Sequence, residues 1–194
     1  MSATAGRKRA TYQDVLDAPP HHVAEVIEGV LYVHPRPATP HAAASSALGE
    51  ELGPPFKRGR GGPGGWLILY EPELHLGAEP DIVAPDLAGW RRERMPAAPR
   101  AAFITLAPDW VCEVLSPSTA AIDRSRKLPV YARERVGHVW LVDPQVRTLE
   151  VFRLDGDGYR VAAVWSGEAV VRAEPFDAIE LALGVLWADV EPEP

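Results

Sequence analysis

The chain has 194 residues, 46% of them hydrophobic and 24% charged, with a formal net charge of −7 and one cysteine. That length fits one domain with loose ends, and that apolar fraction builds one sizeable core. The acidic balance argues against a broad nonspecific nucleic-acid surface, which rests on Lys and Arg, and no run approaches the ~18 apolar residues of a membrane span. Residues 1–10 are expected to form a flexible basic tail and residues 191–194, E-P-E-P, a frayed acidic end, so that residues 11–190 make a single domain. The N-terminus M-S-A-T-A-G-R-K-R-A has no apolar stretch after its basic residues, so no signal peptide is read and a cytoplasmic location is expected.

In V-A-E-V-I-E-G-V-L-Y-V, residues 23–33, β-branched residues flank Glu28-Gly29, which predicts a hairpin. After H-P-R-P-A-T-P, the Ala- and Leu-rich residues 41–52 predict a helix, opened near Thr39-Pro40 with Thr as cap and Pro in the first turn. K-R-G-R-G-G-P-G-G, residues 57–65, reads as a charged flexible loop that lacks the Lys-Ser/Thr of a phosphate-binding loop. W-L-I-L-Y, residues 66–70, reads as a strand. Residues 73–76 and 81–84 read as hairpin arms around Gly77, and the proline- and arginine-rich residues 85–108 as irregular.

W-V-C-E-V-L-S, residues 110–116, is almost continuously apolar, as a central strand covered on both faces should be. Cys112 lies within it, which predicts a buried structural thiol. A helix is expected within residues 119–135 and a second buried strand at H-V-W-L-V-D, residues 138–143. The half-exposed strands 148–154 and 159–165 join through D-G-D-G, and residues 176–190 form an amphipathic segment capping the core. This order predicts an α/β or α+β domain with a mixed central sheet.

The chemically informative residue is Glu113. Val111, Glu113 and Leu115 share one face of a strand that otherwise wants burial, and an unpaired buried carboxylate costs several kcal/mol or more. A cation, a base or a wet cleft must compensate it, so the residue marks either a site or a structural ion pair. Asp81, after Pro80, opens the apolar run I-V-A and on its own is as readily a turn residue. Lys127 follows Glu113 by 14 residues on the helix that returns beside that strand. Taken together, these three suit a divalent-metal site with an activating cation. Basic residues cluster at Lys57, Arg58 and Arg60, at Arg91, Arg92, Arg94 and Arg100, and around Arg124 to Arg135; each group is either a solvated surface or part of a basic cleft on an acidic body.

E-P-D-I-V, P-D-W-V-C-E-V-L-S-P-S-T, the D-x-x-x-K ending at Lys127 with Tyr131 four residues on, and V-W-L-V-D-P together resemble the Uma-two family of restriction-endonuclease-like proteins. That family belongs to the PD-(D/E)XK nuclease superfamily, and the resemblance spans roughly residues 23 to 186. It implies a restriction-endonuclease-like mixed sheet flanked by helices, with an N-terminal hairpin. It further implies hydrolysis of phosphodiester bonds in DNA with Mg²⁺ or Mn²⁺. Asp81 and Glu113 match the two metal-binding acids, and the Val114 carbonyl joins them as a ligand. The superfamily lysine usually stands two residues after the second acid, where this chain has Leu115; Lys127 matches its migrated position. Glu25, His41 and Tyr131 are expected to line the cleft, and Arg91, Arg92, Arg124 and Arg126 to contact the nucleic-acid backbone. Pro129 leaves the direction of Lys127 open. A homodimer is compatible with this reading, and the alternative is a catalytically inactive nuclease-fold module with a binding or structural role.

Overall fold

The computed structural model describes residues 8–190. Thr11 opens a short helix, α1 (Tyr12–Leu16), by donating its amide and hydroxyl to the Asp14 carboxylate at 2.7 and 2.8 Å. The expected hairpin follows as β1 (His22–Ile27) and β2 (Val30–Pro35). Glu28 and Gly29 both take positive φ, 53° and 75°, which is the twist a two-residue hairpin turn requires.

Helix α2 (Thr39–Leu52) begins two residues before the expected range, with Pro40 in its first turn. Thr39 is already helical; Ala38 occupies the cap and supplies no side-chain bond, so the expected Thr39 cap does not form.

The charged glycine-rich loop leads to β3 (Trp66–Tyr70), and β4 (Leu74–Leu76) pairs with β5 (Asp81–Val83) through the turn at Gly77. Residues 85–108 are less irregular than expected. They contain β6 (Leu87–Arg91), which lies between β3 and β7 (Trp110–Val114). Its five residues follow a proline and run into arginines, so periodicity alone does not reveal it. Gly89 lets the neighbouring rings close in: a Cβ would stand 3.1 Å from the Trp110 ring and 3.2 Å from the Trp66 ring. The connection after β7 is helical as expected but broken, with α3 (Ala120–Ile122), a π turn at Asp123–Lys127, and α4 (Leu128–Arg133). The chain ends in β8 (His138–Asp143), β9 (Thr148–Asp155), β10 (Gly158–Ser166), the short β11 (Val170–Val171) and β12 (Leu181–Ala182), and a 3₁₀ turn at Leu183–Leu186.

The main sheet has six strands in the order β10-β9-β8-β7-β6-β3. Only β7 and β8 run parallel, joined by the helical crossover, so the sheet is mixed as expected. A second sheet, β2-β1-β5-β4, covers one of its faces. On that side Ile27, Leu74 and Val83 meet Val111, Val130 and Leu141. The opposite face packs on α2 through Ala44, Leu48 and Leu52, and on the C-terminal segment. Phe176 anchors that segment, its ring centroid 4.6 to 5.6 Å from those of Phe56, Trp66, Trp110 and Trp140. Cys112 is fully buried on this face, and burial pushes its thiol well above its usual pKa, as suits a structural cysteine. Among the described residues no helix is long and apolar enough to cross a membrane.

Candidate active site

Glu113 sits on β7, where every residue is buried, and its side chain points to the face covered by the second sheet and α4. Tyr131 donates its hydroxyl to Glu113 Oε1 at 2.5 Å, and Lys127 Nζ donates to Oε2 at 3.3 Å. Burial drives the Glu113 carboxyl well above the ordinary carboxylate range. Lys127 opposes that rise, and the carboxylates of Asp123, Asp86 and Glu25 add to it.

Lys127 reaches this point because of the break in its helix. Pro129 has no amide to offer the carbonyl four residues back, and its ring crowds that carbonyl, so the preceding turn widens to π geometry with Leu128 N bonded to Asp123 O. The widened turn buries both Asp123 and Lys127. Nζ then lies 3.0 Å from Glu25 Oε1 and 3.1 Å from Asp123 Oδ1. Burial alone would lower the Lys127 pKa, but Glu113, Glu25 and Asp123 outweigh it and hold the ammonium well above its usual value. Glu25 comes from β1 and is fixed in place by the Ala84 amide, which donates to its Oε1 at 2.9 Å. Asp123 Oδ1 is buried and, despite its distance to Nζ, lies outside hydrogen-bonding geometry with any donor.

A fourth carboxylate completes the group, and it is Asp86. It stands after Pro85, immediately before β6, and its Oδ2 accepts the Val114 amide at 2.6 Å. Its Oδ1 lies 3.0 Å from His41 Nε2, on the first turn of α2. Glu25, His41, Asp86, Glu113, Asp123 and Lys127 all line one cavity of about 460 Å³, whose outer wall includes His21, His22 and His34. The Asp86 side chain is 13% exposed, so it opens to solvent where Glu113 and Lys127 barely do.

The expected site residues divide accordingly. Glu113, Lys127, Glu25 and His41 are brought together, with Val114 at the cavity wall. Tyr131 is fully buried behind Glu113 and bonds to it instead of lining the cleft. Asp81 is not brought to this cavity. Its Oδ1 accepts the Glu28 amide at 2.5 Å, its Oδ2 accepts Arg133 at 2.7 Å, and it lines a separate depression with Gly77 and Glu134. Strand β5, which Asp81 opens, belongs to the second sheet, whereas Glu113 lies in the main sheet.

None of the four arginines lines the cavity. Arg124 forks onto the Glu150 carboxylate, and Arg126 lies 3.4 Å from Glu28, on the exposed side of the turn that carries Lys127. Arg91 stacks 4.1 Å above the centre of the Trp66 ring, and Arg92 donates to Pro96 O; both lie at the far end of β6 from Asp86.

Among the described residues, no three His, Cys, Asp or Glu side chains form a ready-made metal cage. The donor set nevertheless suits a hard divalent ion. Two carboxylates, Asp86 and Glu113, flank Val114, whose amide faces Asp86; in an extended strand the carbonyl of a residue points to the same side as its amide. Mg²⁺ in particular is held by one or two carboxylates with waters and substrate phosphate, not by an all-protein cage. The four carboxylates also carry more negative charge than Lys127 alone can offset.

Comparison with known proteins bears on the family and the fold. The model of the Uma2 family, described as "Putative restriction endonuclease", matches residues 10–184. A solved structure described as "a putative nuclease belonging to DUF820 from Anabaena variabilis ATCC 29413" is similar in fold, with a TM-score of 0.73 at 23% identity, over 92% of this chain and 97% of that one. No curated protein matches the sequence. The match over nearly the whole chain and the shared mixed-sheet architecture assign the protein: it belongs to the Uma2 family and has a restriction-endonuclease-like nuclease fold.

Proposed function

We propose that the protein is a divalent-metal-dependent endonuclease that hydrolyses phosphodiester bonds in DNA, with Asp86 and Glu113 as its metal-binding acids, the Val114 carbonyl as a third ligand and Lys127 as its catalytic cation. Asp86 takes the role that the sequence resemblance gives to Asp81. The observation that carries this reading is the convergence of Glu25, Glu113 and Asp123 on the single ammonium of Lys127, with Asp86 on the wall of the same open cavity.

A bound Mg²⁺ or Mn²⁺ supplies Lewis-acid polarisation of the scissile phosphate and a water acidified toward neutrality. The chain's own groups prepare the ground. Tyr131 fixes the orientation of Glu113 by its hydroxyl, and the Val114 amide fixes that of Asp86. Lys127, kept protonated by its three carboxylate neighbours, presents positive charge to an entering phosphate and offsets the negative charge that builds in the transition state. His41 lies against Asp86 Oδ1 and holds the carboxylate's other oxygen.

One observation favours a second reading, a nuclease-fold module that binds without cleaving: all three carboxylate neighbours of Lys127 engage it directly, leaving it little freedom to reorient toward a water. The two readings part in one experiment. Purified protein is incubated with plasmid DNA and Mn²⁺, and its melting is followed with and without the ion. The nuclease reading expects cleavage lost in Asp86→Ala and Glu113→Gln, and about 2.7 kcal/mol of added stability at roughly a hundred times the ion's dissociation constant. The second reading expects no cleavage and no shift in melting with Mn²⁺.

A further inference from the structure

A second cavity, about 340 Å³, lies along the outer edge of β3, and its charge is the reverse of the first. It is lined by Lys57, Arg58 and Arg60, by Ile68 and Tyr70 of β3, and by Gly49 and Gly53 at the end of α2. No carboxylate lines it; Glu50, which adds to the rise that burial gives the Tyr70 pKa, stands outside.

Nine arginines elsewhere in the described residues each face a carboxylate within 3.9 Å. Among the same residues seven arginines form no ion pair: Arg36, Arg100 and Arg147 stand apart in the sequence, whereas Arg58, Arg60, Arg91 and Arg92 flank the glycine-rich loop with the likewise unpaired Lys57, although the chain as a whole carries a charge of −7. Lys57 anchors the group by donating Nζ to Ile68 O at 2.7 Å. Its pKa is lowered by burial first, and then by the positive charges of Arg58 and Arg92; the Arg92 amide donates to Gly65 O at 2.9 Å, which puts Arg92 at the end of the same glycine-rich loop. Arg58 and Arg60 are exposed and ride on a loop in which Gly59, Gly61, Gly64 and Gly65 all take positive φ. Unneutralised cations grouped in this way create a positive potential that concentrates and steers anions.

We propose that this patch, centred on Lys57, Arg58 and Arg60 and continued by Arg92, is a phosphate-backbone anchor that holds duplex DNA at a distance from the acidic cavity. The inference deepens the nuclease reading and rests on it for the identity of the polyanion. Helix α2 sets the spacing: His41 near its start lines the acidic cavity, and Gly53 just past its end lines the basic one. Twelve residues of helix span ~18 Å, which sets the separation of the two cavities.

The test is the binding of a fluorescein-labelled duplex of about 30 base pairs in EDTA, followed by anisotropy over a range of salt, a setting in which no cleavage intervenes. Arg58→Gln/Arg60→Gln removes two exposed charges, and each lost phosphate contact lowers the slope of log K against log salt by about 0.9, so the slope falls by about two. Arg160→Gln/Arg172→Gln changes net charge equally but away from the patch, and leaves the slope as in wild type. An unchanged slope in the first variant, or an equal loss in both, overturns the proposal. So does a result in which the first variant loses binding to phosphatidylserine vesicles while its duplex affinity is unmoved. Wild-type protein that binds duplex through the patch but never cleaves it with Mn²⁺ refutes the nuclease reading and leaves the anchor standing. Cleavage that persists with an unchanged slope refutes the anchor alone.

Discussion

Asp86 Oδ2 accepts the Val114 amide at 2.6 Å, and this bond ties the start of one central strand to the end of its neighbour, bringing the Asp86 carboxylate beside the strand that carries Glu113. Asp81, five residues earlier and also preceded by proline, is held elsewhere by Arg133 and the Glu28 amide.

Asp81 and Asp86 are therefore separable by mutation. Asp86→Ala abolishes metal-dependent cleavage and the stabilisation by Mn²⁺ while the protein stays folded. Asp81→Ala keeps both but lowers stability by about 1–3 kcal/mol, because the Glu28 amide and Arg133 lose their acceptor. Urea unfolding alongside a plasmid-nicking assay checks the pair; loss of cleavage in Asp81→Ala with Asp86→Ala still active reverses the assignment.

Lys127 balances three buried carboxylates, so removing its charge is costly in the fold as well as in the reaction. Lys127→Met is expected to destabilise by about 3–5 kcal/mol, the penalty of leaving buried charge uncompensated. Because the excess is negative, Mn²⁺ recovers more stability in this variant than in wild type. Denaturant midpoints with and without the ion measure both effects.

Burial is the largest cause of the raised Glu113 pKa, and this fixes the direction of pH dependence. A carboxyl whose folded pKa lies above its unfolded value contributes stability at low pH, fully present below the unfolded pKa of ~4.3 and lost as pH rises through the folded one. Metal-free wild-type protein thus loses stability across that window relative to Glu113→Gln. Binding of Mn²⁺ displaces the proton, so affinity rises with pH until the folded pKa is passed. Calorimetric titrations in two buffers of different ionisation enthalpy count the released proton; pH-independent affinity with no proton release contradicts the account.

Much of the site is legible in the sequence because charge is conspicuous where everything else is apolar. Glu113 stands out within W-V-C-E-V-L, and Lys127 within D-x-x-x-K. Strand periodicity also gives the face of Glu113, the N-terminal hairpin and most of the main sheet. Asp86 is hidden for a physical reason: Pro-Asp occurs twice within seven residues, and each copy opens a short apolar strand. Only the pairing of β6 with β7, a long-range contact, tells the copies apart. Tyr131 is named by its spacing from Lys127, but spacing does not say that it packs behind Glu113. The π turn before Pro129 is likewise a compromise between a missing amide and the burial of Asp123 and Lys127, which no local pattern specifies.

The close fit of β6 between its neighbours gives a prediction for the fold alone. Gly89→Ala places a methyl 3.1 Å from Trp110 and 3.2 Å from Trp66, both of which are fully packed. Overpacking of this kind costs about 1–3 kcal/mol. Urea unfolding in EDTA is the check, and an unchanged midpoint would mean that the two rings have room to shift.

The most direct measurement is anomalous diffraction from crystals grown with Mn²⁺. The account predicts one strong peak in contact with the Asp86 and Glu113 carboxylates and the Val114 carbonyl. A peak bound at Asp81, or an acidic cavity that stays free of metal at saturating Mn²⁺, would contradict it.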